Sequence, residues 1–225
     1  MSDKYPSLSP YNYCAWNPMK LVDPDGDSII LSKEAWEIMN QAIKSTLHVE
    51  GDDSPFYYEN GYMLYDSEKT YSSKNPDQQE IFSHLKELVT ATNFNVSVSV
   101  VGNDTKFSTY IEEAGGNDFV ERSMKDLKAY GFTQLMSNKR DCNVYISNEP
   151  LRADGRKYVQ QDDYKSISIL HEVGGHSYYY MNGVMGGENC SKTEQFEQKC
   201  RNVFNGRFGS PDIPTGGVSR HSRIY

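Results

Sequence analysis

The chain lacks a long apolar run. Nothing in its 225 residues approaches the roughly 20 consecutive apolar residues that a membrane-spanning helix needs. The first residues, Met-Ser-Asp-Lys-Tyr-Pro, contain no signal-peptide core. Basic charge is also short. Lys and Arg number 23 against 31 Asp and Glu, a net charge of −8. Binding to phosphates relies on a basic surface, so nucleic acid is not the expected partner. Cysteines are few and scattered. Cys14, Cys142, Cys190 and Cys200 form no Cys-x-x-Cys pair, which argues against a cysteine zinc site. They are expected as buried thiols, a Cys190–Cys200 bridge being the alternative. There is no internal repeat and no low-complexity tract. A strict His-Glu-x-x-His is missing as well.

What stands in its place is Ile167-Ser-Ile-Leu-His-Glu-Val-Gly-Gly-His-Ser177. Ile167, Leu170 and Val173 recur at three-residue spacing, the signature of a buried helix face. His171 and Glu172 project from another face. On a helix, His-Glu-x-x-His lets two imidazoles grip one Zn²⁺, with the glutamate beside them as base. Here the second histidine comes one residue late. At about 100° per residue, an i,i+4 pair diverges by roughly 40° and an i,i+5 pair by roughly 140°. A regular α-helix would point His171 and His176 apart. Gly174-Gly175 supplies a remedy, because glycines tolerate an inserted residue and one i→i+5 bulge would return both rings to one face. Alternatively the helix ends at the glycines and His176 approaches from the first loop residue.

Along the chain, residues 1–27 are rich in turn signals, among them Tyr5-Pro6, Asn17-Pro18 and Asp23-Pro24-Asp25-Gly26. Ser32 is the expected N-cap of a helix through about Leu47, with Ala35, Trp36, Met39, Ile43 and Leu47 on its apolar side and His48 capping its end. Phe56–Tyr65 reads as a hairpin turning at Asn60-Gly61. Asn75-Pro76 opens a helix to about Thr92, with Ile81, Leu85, Leu88 and Val89 inward and His84 as a structural histidine. Asn95–Val101 alternates as a strand. A helix is expected over 118–130, burying Val120, Met124 and Leu127. Cys142–Ser147 reads as a strand and 148–155 as a loop. The central helix should run from about Asp163 to Tyr180. A turn at 182–187 then leads to a further helix, opened at Ser191-Lys-Thr-Glu194 by capping-box spacing.

The order strand, strand, His-Glu helix, loop, second helix resembles the zincin metallopeptidases. The resemblance implies an α+β fold: a small twisted sheet, including Val96–Val101 and Val144–Ser147, packed on a central metal-binding helix with further helices. Zincins of the glutamate type draw a third ligand from the downstream helix. Glu197 is the first choice, Glu194 the alternative and Glu188, on the loop, a third option. Capping of Ser191 by Glu194, and an i,i+4 bridge from Glu197 to Arg201, are the competing structural roles. The implied chemistry is peptide hydrolysis, with His171, His176 and Glu197 on Zn²⁺ and Glu172 as catalytic base. Tyr178, Tyr179, Tyr180 and His221 are the nearby candidates to stabilise an oxyanion.

A second resemblance covers the first tenth of the chain. Asp3-Lys-Tyr-Pro-Ser-Leu-Ser-Pro-Tyr-Asn-Tyr-Cys-Ala-Trp-Asn-Pro-Met-Lys-Leu-Val-Asp-Pro-Asp-Gly26 resembles the end of the RHS-repeat (YD-repeat) associated core of Bacteroidetes. In that family the segment closes a large β-shell, and a variable C-terminal domain, frequently a toxin, follows it. The resemblance implies that 1–27 are the end of a carrier and 28–225 a toxin cargo. It also implies a cognate immunity protein and delivery into a target cell. The substrate would be protein or peptide. Two alternatives are a zinc hydrolase of a cell-wall, nucleotide or other non-protein amide substrate, and a catalytically degenerate binding domain.

Overall fold

The computed structural model describes residues 29–113, 116–127, 129–149 and 161–204. The expected carrier segment 1–27 with Cys14, most of the expected loop at 148–155, and the tail with His221 lie outside the described residues.

Strand β1 (Ile29–Leu31) enters helix α1 (Lys33–Leu47) through Ser32, whose Oγ accepts a hydrogen bond from the Ala35 amide at 3.1 Å. His48 ends the helix in the left-handed region, φ 55°. Its Nε2 lies 2.7 Å from the Val203 carbonyl oxygen. Strands β2 (Phe56–Glu59) and β3 (Tyr62–Tyr65) form the expected hairpin. Asn60 and Gly61 both have positive φ, 51° and 95°, as its two-residue turn requires. Helix α2 (Pro76–Val89) is capped by Asn75, whose Oδ1 accepts from the Asp77 amide. It ends at Val89 rather than near Thr92. There the Thr90 hydroxyl and amide both donate to the Lys86 carbonyl.

Strand β4 (Asn95–Val101) lies where its alternation places it. It pairs in parallel with β1 on one side and with β8 (Asp141–Ser147) on the other. Strand β7 (Gly131–Leu135) adds antiparallel to β8 and forms the sheet edge. The six-stranded order is β2-β3-β1-β4-β8-β7. Ile29, Leu31, Val96, Val98, Val144 and Ile146 all turn to one face and are buried in a single core with α1, α2 and the later helices. The chain is thus α+β, with the helices of that core on one sheet face.

The helix expected over 118–130 is not formed. Residues Gly116–Arg122 are strand β6, paired antiparallel with β5 (Phe107–Glu113) in a separate two-stranded sheet. Among the described residues of that stretch, only Met124–Leu127, helix α3, is helical, with Met124 and Leu127 buried. The start signal is Ser123. Its Oγ meets the Asp126 amide at 3.2 Å, while Asp126 Oδ2 accepts from the Ser123 amide at 2.9 Å. This reciprocal cap sits too late for Val120 to be helical. Apolar spacing alone could not reveal that the preceding residues had a strand partner.

The central helix is continuous but changes pitch. It runs as α4 (Gln161–Ile169), a π-helical segment (Leu170–Ser177) and α5 (Tyr178–Met181). The last helix, α6 (Gly186–Val203), begins before the expected start at Ser191. Ser191 and Glu194 are therefore exposed interior positions rather than a capping box. Cys142 and Cys200 are buried free thiols, so the alternative Cys190–Cys200 bridge is not made. No helix among the described residues is long and apolar enough to cross a membrane.

Candidate metal centre

The inserted residue is absorbed by the π-helical segment, longer than the single bulge that the spacing required. Its i→i+5 pattern shows where the Tyr178 amide donates to the Val173 carbonyl. The segment brings the His171 and His176 rings to 4.9 Å between centroids, at 75° to each other. Such segments are costly in isolation, and side chains satisfy its carbonyls here. Ser177 Oγ donates to Glu172 O at 3.0 Å, and Thr133 Oγ1 lies 3.2 Å from the same oxygen. His84 Nδ1 donates to Gly174 O at 2.8 Å. That imidazole is stacked between Tyr178 and Phe196, so its expected structural role holds.

The two glycines do more than permit the bulge. A Cβ on Gly174 would lie 2.8 Å from Phe196 Cζ, and one on Gly175 would lie 2.5 Å from Thr193 Cγ2. Both atoms belong to α6, which packs directly on the π-helical segment. Asn189, Thr193, Phe196 and Glu197 recur at helical spacing on this contact face, and all four are buried. The face places Glu197 Oε2 at 2.6 Å from His171 Nδ1. Glu197 Oε1 accepts from Arg201 Nε at 2.6 Å, so the foreseen i,i+4 bridge and the contact with His171 coexist on separate oxygens. Glu194 and Glu188 do not join them. Glu194 is exposed, and Glu188 is exposed and paired with Lys192 at 2.9 Å.

His171, Glu172, His176 and Glu197 are each at most 5% exposed. Burial resists ionisation of Glu197, but His171 and Arg201 outweigh it and hold its carboxyl at about 2. For His171 burial favours the neutral ring. The Glu197 carboxylate, with Glu172 behind it, prevails and raises its pKa. Glu172 is raised by burial, against the opposing pull of His171 and of Thr133. Thr133 Oγ1 donates to Glu172 Oε2 at 2.7 Å from the edge strand β7. Two residues earlier, a Cβ on Gly131 would lie 2.5 Å from Glu172 Cγ and 2.7 Å from Oε1. The edge strand therefore forms a socket for this glutamate, notched by Gly131 and pinned by Thr133.

Of the candidate donors, Tyr178 is engaged elsewhere, its hydroxyl on Glu87 Oε2 at 3.0 Å. Tyr179 stands edge-on to His84. Tyr180 alone of the three has its ring beside His176, 6.2 Å between centroids. Sequence reasoning missed Gly131, Thr133, Asn189 and Thr193. The signal for the last two was present, since polar Asn189 and Thr193 share the spacing of the apolar Phe196 and Cys200. No sequence pattern ties β7 to Glu172.

The residues fit a metal ion in kind. Two imidazoles and a carboxylate are the nitrogen and oxygen donors Zn²⁺ takes. Glu197 Oε2 is buried and receives no hydrogen bond of good geometry, although His171 Nδ1 lies beside it. As they stand, no three His, Cys, Asp or Glu side chains among the described residues are grouped to hold an ion.

A scan of protein-family models finds no match, and searches of curated proteins and of solved structures find none either.

Proposed function

We propose that this chain is a zinc-dependent hydrolase of the metallopeptidase kind, with a zincin-like arrangement of sheet edge, His-Glu helix and downstream glutamate. The observation that carries the reading is the π-helical segment. It turns two histidines of the wrong spacing toward each other and leaves Glu197, from another helix, 2.6 Å from the first of them. In this reading His171, His176 and Glu197 hold Zn²⁺. A bound Zn²⁺ would supply a water of lowered pKa and a Lewis acid for the scissile carbonyl.

The chain's own residues do the rest. Glu172 Oε1, the oxygen not bonded to Thr133, takes the proton of the attacking water and returns it to the leaving amine. Thr133 keeps the carboxylate from turning, and Gly131 leaves it the room. Arg201 holds Glu197 through Oε1, which leaves Oε2 for the ion. Tyr180, beside His176, is the donor for the oxyanion.

The N-terminal resemblance extends the proposal. Residues 1–27 are the end of an RHS carrier, and 28–225 are its toxin cargo, delivered into a target cell and neutralised at home by an immunity protein. Expression in a bacterial host tests the whole. Elemental analysis should find about one zinc per chain. Glu172→Gln should retain the zinc and lose toxicity. Full toxicity in that variant would remove the catalytic role. Mass spectrometry of a lysate and of purified peptidoglycan exposed to the chain should show new termini in protein. New termini in peptidoglycan alone would instead assign a cell-wall amide as substrate.

A further inference from the structure

Asn189, on the first turns of α6, is fully buried and makes three directed hydrogen bonds. Its Nδ2 donates to the His176 carbonyl at 3.2 Å and to the Val184 carbonyl at 3.1 Å. Its Oδ1 lies 2.5 Å from His176 Nδ1. The two carbonyls fix which end of the amide is which. Exchanging oxygen and nitrogen would set Oδ1 against two carbonyl oxygens and remove both bonds. Since Oδ1 can only accept, the atom facing it must carry a proton. His176 therefore bears its proton on Nδ1, and in the neutral ring the lone pair is on Nε2. Thr193 Oγ1, 3.4 Å from both Nδ1 and Oδ1, closes the same corner.

The geometry points to Asn189 as the positioning residue that sets the tautomer and orientation of His176, and so makes its Nε2 a ready metal ligand. The tautomer follows from the hydrogen bonds alone. Its consequence for metal binding rests on the proposal that His176 holds zinc. The amide also ties His176 to the turn before α6. The helix that carries Glu197 therefore orients the second histidine as well, and the two arrive as one unit. An imidazole free to adopt either tautomer would present its Nε2 lone pair only part of the time, and the apparent metal affinity would fall in proportion.

Long-range proton–nitrogen correlation spectra of ¹⁵N-histidine-labelled chain, freed of metal with chelator, read the tautomer directly. Competition between the chain and a chromogenic chelator for Zn²⁺ reads the affinity. In the wild type His176 should be the Nδ1–H tautomer. Asn189→Leu should lose that preference and bind Zn²⁺ about tenfold to a hundredfold more weakly. Asn189→Asp keeps the acceptor for Nδ1 but sets its second oxygen against the His176 and Val184 carbonyls, so it should preserve the tautomer while lowering the melting temperature. A wild-type His176 found as the Nε2–H tautomer would overturn the inference, whether or not Asn189→Leu folds. So would unchanged affinity and tautomer in a folded Asn189→Leu. A wild type that has the Nδ1–H tautomer but binds no Zn²⁺ would instead remove the metal reading and leave the Asn189 lock in place.

Discussion

His84 and Thr133 both serve the His-Glu segment from outside it, and each has a consequence that can be measured. His84 donates to Gly174 O from between two aromatic rings, and burial holds its pKa below the ordinary 6.5 more strongly than that carbonyl raises it. In the unfolded chain the same ring protonates near its ordinary value. Its contribution to stability is complete above that value and is lost as the pH falls below it toward the folded pKa. Over that window the slope is at most about 1.4 kcal/mol per pH unit. His84→Asn retains an N–H for Gly174 but cannot titrate. Urea midpoints between about pH 5 and about pH 8 should therefore depend less on pH in this variant than in the wild type, though lower throughout for want of the stacked ring. Thr133→Val removes the hydroxyl on Glu172 Oε2 and leaves a buried carboxylate oxygen without its donor. That should cost about 1–3 kcal/mol in equilibrium unfolding. Thr133→Ser should cost far less, since the donor stays.

The π-helical segment is an element whose shape is set by its neighbours. Ile167, Leu170 and Val173 face the core at α-helical spacing, and the sequence announces them plainly. What it does not announce is the surface opposite. Gly174 and Gly175 are glycines because Phe196 and Thr193 occupy the space a Cβ would take. Gly175→Ala should therefore destabilise the chain by about 1–3 kcal/mol, as overpacking does. Thr193→Ser, which removes Cγ2, should return part of that loss in the double variant. Additive single costs in thermal unfolding would mean that the two positions do not meet. The same packing explains why Ser191-Lys-Thr-Glu194 misled as a start signal. Helix α6 already runs from Gly186, and Asn189 and Thr193 are buried on the face that packs against the π-helical segment.

For the whole molecule, the proposed ion joins two parts distant in sequence, the central helix and α6. Zinc that binds only the folded chain adds stability by mass action, about 2.7 kcal/mol at a hundred times its Kd. Melting in excess Zn²⁺ should therefore occur at a higher temperature than in chelator. The gap should persist in Glu172→Gln and shrink in Glu197→Gln. Equal melting temperatures with and without the ion would count against a metal that bridges these helices.

Much of this fold was legible in the chain because its signals are local. Ser32, Asn60-Gly61, Asn75-Pro76 and the alternation of Asn95–Val101 each act within a few residues, and each element stands where they put it. The demand for extra turn length between His171 and His176 was local too, since it follows from helix geometry. Partners distant in sequence were decided only by tertiary structure. Gly116–Arg122 is a strand because Phe107–Glu113 pairs with it, and Glu197 rather than Glu194 meets His171 because Glu197 shares the buried face of Asn189, Thr193 and Phe196 while Glu194 faces outward. Glu172 is pinned from the edge strand and His176 from Asn189. Spacing along a chain fixes which side chains share a face. Which faces meet depends on how whole elements bury their surfaces together, and no stretch of residues carries that by itself.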